Sequence, residues 1–201
     1  MDLTAIAAAA VMFILGATSP GPSVAVVLRN TMIGGRARGL SCAVGHGIGF
    51  GFYAISVVFG LVIIMEKYPD VFTIMQTIGI FFLLYLGKSM LSAEVQEIQQ
   101  SKSNRDGFLE GFFIAFLNPK IAAFYLAIFS QFLDAASNFE YKILMVVTAT
   151  VIDGFWYILL TFVIAVPKFI KFFKLSAKKI EFFLGVVLLL VSFILGFNII
   201  L

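Results

Sequence analysis

Six apolar stretches, each about 20 residues long, take up most of the chain. A helix of about 20 apolar residues crosses a hydrocarbon core that is about 30 Å thick. Charged residues make up only 12% of the 201 residues, whereas about 25% is usual in a soluble domain. The sequence therefore predicts an all-α integral membrane protein with six transmembrane helices and no soluble domain.

Polar connections separate the apolar stretches and set the predicted bounds. The six helices are expected at residues 3–29, 40–65, 72–91, 108–132, 141–166 and 180–200. A polar linker at residues 93–106 separates two half-repeats, 1–92 and 107–201, of a single transporter domain. No Lys or Arg precedes Ile6, so the basic region of a signal peptide is missing. We therefore expect the first apolar stretch to be a retained helix.

Lysine and arginine are distributed unequally between the two sides of the predicted helices. Eleven lie in the connections after helices 1, 3 and 5, and two, Lys67 and Lys142, lie on the opposite side. Because cytoplasmic loops are enriched in Lys and Arg, both termini are expected outside, in a bacterial plasma (inner) membrane. This topology accounts for the net charge of +3 without a nucleic-acid partner.

Prolines interrupt the first and the fourth predicted helices. The interruptions are Ser19-Pro20-Gly21-Pro22 and Asn118-Pro119-Lys120. A proline removes a backbone donor and frees a carbonyl, which is costly in lipid unless that carbonyl faces protein or a water-filled cavity. Breaks in corresponding helices are typical of inverted-repeat transporters, in which two three-helix halves would have opposite orientations. The alternative for each helix is an ordinary proline kink.

Cys42 and His46 are the only cysteine and the only histidine. One cysteine cannot form an internal disulfide, and a metal site with several His and Cys ligands is excluded. No ATP-binding motif is present. We therefore expect no cofactor and no bound metal, and transport should depend on an ion gradient or on the substrate's own gradient.

Glycines recur at alternate positions of the second predicted helix. They are Gly45, Gly47, Gly49 and Gly51. Small residues four positions apart let another helix approach closely, so these glycines are predicted to pack helices rather than to line a substrate path. They do not form a dinucleotide fingerprint, because no strand precedes them and Phe50 occupies the position of the last glycine.

Asp153 and Lys120 are the two charged residues expected deepest in the membrane. An ionisable group at that depth costs about 3 kcal/mol or more and usually faces a cavity or a partner. Asp153 is a candidate for binding a substrate ammonium group or carrying a proton, and Lys120 for attracting a substrate carboxylate. Their signs are those that a zwitterion requires. The alternative is structural, with Asp153 paired to Lys120 or hydrogen-bonded to Trp156 or Tyr157.

Other polar residues lie close to these features. His46 sits among the helix 2 glycines and is either a helix-contact residue or a proton relay, since histidine titrates near neutral pH. Asn118 adjoins the second break and is a candidate for hydrogen bonding there. Arg29 and Asn30, at the end of helix 1, are expected to anchor the interface, with gating as the alternative.

The pattern resembles the LysE/RhtB amino-acid exporters over nearly the whole chain. The matching motifs are Ser19-Pro20-Gly21-Pro22, Gly34 with Gly39, Gly45-His46-Gly47-Ile48-Gly49, Tyr85-Leu86-Gly87-Lys88, Phe108 to Gly111, Asn118-Pro119-Lys120, Phe129-Ser130-Gln131-Phe132, and Asp153 with Trp156. The two proline motifs are the most specific. Ser130 stands where that family usually has proline, a departure compatible with a different substrate.

The resemblance implies six helices, export of an amino acid or a close derivative, and proton antiport. In the mechanism we expect, access alternates between the two sides, and half-helix N-termini together with Lys120 attract the substrate carboxylate. Asp153 meets the ammonium group or carries the coupling proton. The expected partners are an amino acid, H+ and the lipid bilayer, and a homo-oligomer is compatible with the pattern.

Three other functions fit the sequence less well than amino-acid export. A cation exporter would need several carboxylate, carbonyl or soft ligands, which one deep Asp and one deep Lys do not supply. An intramembrane hydrolase could use Ser89 with His46 as its base, but Gly87-Lys88-Ser89 is too short a motif to be specific. A membrane assembly factor gives no reason for Asp153 or for the paired breaks.

Overall fold

The structure is a computed structural model that describes residues 3–91, 107–133, 137–164 and 167–200. Within these ranges the chain forms seven α-helices and no strand, so the predicted all-α class is confirmed. The helices are α1 (Leu3–Thr18), α2 (Pro22–Lys67), α3 (Pro69–Leu91), α4 (Gly107–Leu117), α5 (Pro119–Phe132), α6 (Phe139–Ile164) and α7 (Pro167–Ile200). The predicted polar linker at 93–106 lies outside the described residues.

The first predicted break separates α1 from α2. Helix α1 ends at Thr18, and α2 begins at Pro22 after Gly21, whose backbone is extended. Proline at the first position of a helix is favourable, because its missing N–H would have no partner within the helix. The two prolines therefore end one helix and start the next.

Helix α2 continues through a segment that the sequence predicted to be a loop. Residues 30–39 are helical except for Gly35, whose φ of 68° and ψ of −167° interrupt the helix at one residue. This backbone conformation is essentially restricted to glycine. The prediction of a connection between helices 1 and 2 was therefore wrong in its length, since a single glycine replaces the expected loop.

The second break divides the fourth predicted helix into α4 and α5. Asn118 adopts an extended conformation between them, and the two helices are bent by 52°. The side chain of Asn118 accepts a hydrogen bond of 2.9 Å from the backbone N–H of Lys120. Asn118 is therefore the N-cap of α5, and Pro119 occupies the first position of that helix.

Helix α7 begins earlier than predicted. It runs from Pro167 to Ile200, whereas residues 168–179 were expected to form a lysine-rich loop before a helix that starts at residue 180. Lysine is a good helix former, and proline at the first position of α7 suits a helix start. A lysine-rich segment can therefore be helical, and its charge does not by itself predict a loop.

Several helices are long and apolar enough to cross a membrane. Among the described residues, these are Pro22–Ile64, Pro69–Leu91 and Phe139–Ile164, and the bent pair α4 and α5 would be a fourth span. Large apolar side chains such as Phe81, Phe155 and Phe193 are 65–70% exposed, as expected of a surface that faces lipid.

The core is formed by helices from both halves of the chain. Helix α2 packs against α4 and α6, α3 packs against α5 and α7, and α1 packs against α5 and α6. The contact between α2 and α4 is very close, because Gly45 lies against the backbone of Phe108 and Gly111 against that of Cys42. These glycines bring the two backbones together without an intervening side chain.

Candidate functional site

The two breaks face each other, and hydrogen bonds connect them. The Lys120 ammonium group donates to Ser19 Oγ at 2.7 Å and to the backbone carbonyl oxygen of Pro20 at 2.9 Å. Asn118 Nδ2 donates to Ser23 Oγ at 3.1 Å. Residues that are about 100 positions apart in the sequence therefore form one polar centre.

Two helices begin at this centre. Helix α2 starts at Pro22 and α5 starts at Pro119, so the first turns of both helices adjoin the same space. The N–H groups of a first helical turn carry partial positive charge and suit an anion. Together with the Lys120 ammonium group, they make the centre suitable for a carboxylate.

A pocket of about 420 Å³, which includes the space at its open mouth, adjoins the polar centre. Its polar wall contains Ser19, Gly21, Ser23, Asn118 and Lys120. Its apolar wall contains Leu15, Leu86, Ile121, Phe124 and Leu188.

His46 and Asp153 form a second, separate polar site. The His46 Nδ1 atom lies 2.8 Å from Asp153 Oδ2, and both side chains are almost completely buried. Neither residue lines the pocket. The Tyr157 ring lies between the two sites: it belongs to the pocket wall, and its centroid is 4.0 Å from that of the His46 ring.

Glycines bring the helices together beside the His46–Asp153 pair. Gly47 and Gly154 each follow one member of the pair, and a Cβ atom on Gly47 would lie only 3.1 Å from the Gly154 Cα atom. The backbones of α2 and α6 therefore touch at this point. This close contact explains how an imidazole and a carboxylate on two different helices can hydrogen bond directly.

A third polar group surrounds Glu110 of α4 and is called the Glu110 cluster here. Its members are Arg29, Asn30, Arg38 and Glu110. Arg29 forms an ion pair with Glu110 Oε2, Asn30 Nδ2 donates to the same oxygen at 2.8 Å, and Arg38 Nη2 lies 3.7 Å from Oε1. Arg38 Nε also donates to Asn30 Oδ1 at 2.7 Å. The cluster joins α4 to both parts of α2.

The sequence pattern does not indicate Glu110 as a site residue. It lies at the start of a predicted span, where an acidic side chain is usually solvated. The available signal was the nearby position of Arg29 and Arg38 on the same predicted side of the membrane. Glu110 is nevertheless buried, with 8% of its side chain exposed, and a buried carboxylate needs partners.

The sequence-predicted residues divide between these sites. Lys120, Asn118, Pro20, Gly21 and Pro22 meet around the first polar centre. Asp153 and His46 meet in the second. The structural alternative was a pair between Asp153 and Lys120. In the structure the Asp153 carboxylate contacts His46 instead, and the Lys120 ammonium group contacts Ser19 and Pro20.

The helix 2 glycines lie in contacts between helices. Gly45 and Gly49 lie against the backbone of α4, Gly47 against that of α6, and Gly51 against the Thr150 side chain of α6. Within the described part of the chain, no group of three or more His, Cys, Asp or Glu side chains is arranged to hold a metal ion.

Comparison with known proteins gives consistent results. The model of a family described as LysE type translocator matches residues 14–198. The uncharacterised membrane protein YrhP of Bacillus subtilis is 26% identical over 163 residues, which are 74% of this chain and 78% of that protein. The leucine efflux proteins of Salmonella typhimurium and Salmonella typhi are 28% identical over 167 residues, 80% of this chain and 78% of each relative. No solved structure matches.

Proposed function

We propose that this chain, which belongs to the LysE type translocator family, exports an amino acid from the cell by alternating access. Family membership makes it a membrane transporter and not a hydrolase. The Salmonella relatives are named for leucine efflux, which supports an amino acid as the substrate. The observation that carries the proposal is the pocket at the two facing breaks, with Lys120 in its wall.

The substrate carboxylate binds at the polar centre. The Lys120 ammonium group supplies the positive charge, and the first-turn amides of α2 and α5 supply further donors. A hydrogen bond between charged partners contributes about 1.5–3 kcal/mol. The substrate ammonium group binds to the hydroxyl oxygens of Ser19 and Ser23 in the same wall, which also accept hydrogen bonds from Lys120 and Asn118.

The coupling ion is a proton, and the His46–Asp153 pair carries it. Both side chains lie outside the pocket lining and are buried. Carrying a proton therefore suits Asp153 better than direct contact with the substrate. Tyr157 touches the pocket and His46. Through this ring, occupation of the pocket affects the buried pair.

The transporter has six spans in two inverted halves. Helix α1 with the first part of α2 is one span, and α4 with α5 is the equivalent span of the second half. In this repeat, α1 corresponds to α4, and the second part of α2 corresponds to α6. The contact between α1 and α6 therefore has its equivalent in the contact between α4 and α2, and both contacts are present. The crossings Gly47 with Gly154 and Gly87 with Gly185 also join equivalent helices of the two halves.

The protein lies in the bacterial plasma membrane with both termini outside. This orientation follows from eleven Lys and Arg residues in the connections on one side against two on the other. The Glu110 cluster then lies near the cytoplasmic side. It closes that end of the contact between α2 and α4.

An export panel tests the function and the site together. Cells loaded with dipeptides should release at least one amino acid faster when they contain the protein. The Lys120→Met variant should export that amino acid about 10 to 100 times more slowly than the wild type, because one charged hydrogen bond to the substrate is removed. Lys88→Met is the matched control, since Lys88 is an exposed lysine of α3.

Two results would overturn the proposal in different ways. If no amino acid leaves faster with the protein than without it, the export function is wrong. If the Lys120→Met variant inserts and exports at the wild-type rate, the function stands but the assignment of the carboxylate site is wrong.

A further inference from the structure

The pocket at the two breaks has chemically different walls. The wall formed by Ser19, Ser23, Asn118 and Lys120 is polar, and Lys120 is its only charged residue. The groups that all amino acids share, the carboxylate and the ammonium, can be held at this wall. The opposite wall then receives the part in which amino acids differ.

The opposite wall is aliphatic and aromatic. Leu15 of α1, Leu86 of α3, Ile121 and Phe124 of α5 and Leu188 of α7 contribute to it. Four helices therefore surround this part of the pocket with apolar side chains. Burial of each methylene group of a ligand against such a wall contributes about 0.8 kcal/mol.

The charges of the pocket exclude several types of side chain. None of the 14 residues that line it is Asp or Glu. A lysine or arginine side chain of the substrate would enter the apolar wall without a counter-charge, which costs several kcal/mol. An acidic side chain would compete with the α-carboxylate for Lys120.

We propose that the pocket selects amino acids with an uncharged aliphatic side chain, and that Phe124 limits the size of that side chain. This inference rests on the proposed export function and adds the substrate class to it.

Phe124 is held in a fixed position at the apolar wall. Its side chain is 4% exposed, and its ring packs edge-on against the Tyr125 ring with centroids 5.3 Å apart. On its other side the ring lies so close to Gly16 that a Cβ atom there would clash with it. The contacts with Gly16 and Tyr125 therefore hold the ring at the apolar wall.

The test compares export of leucine, phenylalanine, lysine and aspartate by the wild type and by two Phe124 variants. The wild type should export leucine in preference to the other three. Phe124→Ala should raise the ratio of phenylalanine to leucine export by about tenfold or more, within the range by which apolar pockets discriminate size. Phe124→Leu should raise it less, and it keeps an apolar contact to Gly16 if the alanine variant fails to insert.

The control is Phe116→Ala, because Phe116 is a 40% exposed phenylalanine of α4 that does not line the pocket. It should leave the ratio unchanged. Preference of the wild type for lysine or aspartate would overturn the inference while export itself stands. An unchanged ratio in an inserted Phe124 variant would do the same. Absence of export for every amino acid would overturn the proposed function as well.

Discussion

The imidazole Nδ1 atom of His46 lies 2.8 Å from the carboxylate Oδ2 atom of Asp153, and the two side chains are 0% and 2% exposed. Each residue precedes a glycine at which α2 and α6 touch. The pair is thus enclosed between two helices.

Replacing Asp153 with Asn should uncouple transport from protons. Asparagine has nearly the same shape and keeps a hydrogen bond to His46, but it cannot bind and release a proton. In proteoliposomes with an imposed pH gradient, the variant should lose the acceleration of efflux while it still exchanges labelled for unlabelled substrate. Glu140→Gln is the control, because Glu140 is an exposed acid in the first turn of the same helix. An undiminished response of the inserted Asp153→Asn variant to the gradient would exclude Asp153 as the proton carrier.

Replacing Glu110 with Ala should destabilise the protein. The change leaves Arg29 and Arg38 without their shared carboxylate, and breaking a buried ion pair costs about 3–5 kcal/mol. Since the arginine side chains are 16% and 27% exposed, we expect about 3 kcal/mol, which lowers the melting temperature by about 6–12 °C. Thermal unfolding of the purified protein in detergent measures the shift. Glu66→Ala, at an exposed acid near the end of α2, should unfold like the wild type, and equal melting temperatures for the two variants would contradict the role of the cluster.

Replacing Gly111 with Ala should prevent α4 from packing against α2. The added methyl group would collide with the Cys42 carbonyl oxygen, and one of the two backbones would have to move. Overpacking of this kind costs about 1–3 kcal/mol or more. Gly60→Ala adds the same methyl group where no atom lies within 4 Å, so it should be neutral or stabilise by up to about 1 kcal/mol. The amount of monodisperse protein after extraction, together with the melting temperature, distinguishes the two, and similar behaviour would refute the close contact.

Replacing Gly35 with Ala should strain the backbone alone. No atom lies within 4 Å of a Cβ atom at this position, but the φ of 68° with ψ of −167° is unfavourable for alanine. The expected cost is about 1–3 kcal/mol. Thermal unfolding should therefore show a lower melting temperature for Gly35→Ala than for Gly60→Ala. A melting temperature equal to that of the wild type would mean that the helix can continue straight through residue 35.

The sequence predicted the features that have a local cause. The breaks at Pro20 and Pro119 follow from the missing N–H group of proline, and the burial of Asp153 follows from its position in an apolar helix. Even so, their partners were not predicted. Asp153 bonds His46, 107 positions away, and no periodic pattern records which residues of two separate helices meet.

The same distinction explains what was missed or misplaced. Glu110 was not indicated because its burial depends on Arg29 and Asn30, about 80 positions earlier. Lysines at the start of α7 suggested a loop because charge reports exposure and not backbone conformation. The sequence offered Tyr157 only as a possible partner of Asp153, and its place between the pocket and the His46 ring was not predicted.

The interruption of α2 at a single residue has a mechanical consequence. A loop between two spans can lengthen, twist or swing, but one glycine between two rigid helical arms permits little more than a change of angle. Arg29 lies before this joint and Arg38 after it, and both reach Glu110. The distance between the two guanidinium groups therefore depends on the angle between the two parts of α2 at Gly35. Because one carboxylate contacts both groups, it restrains that angle.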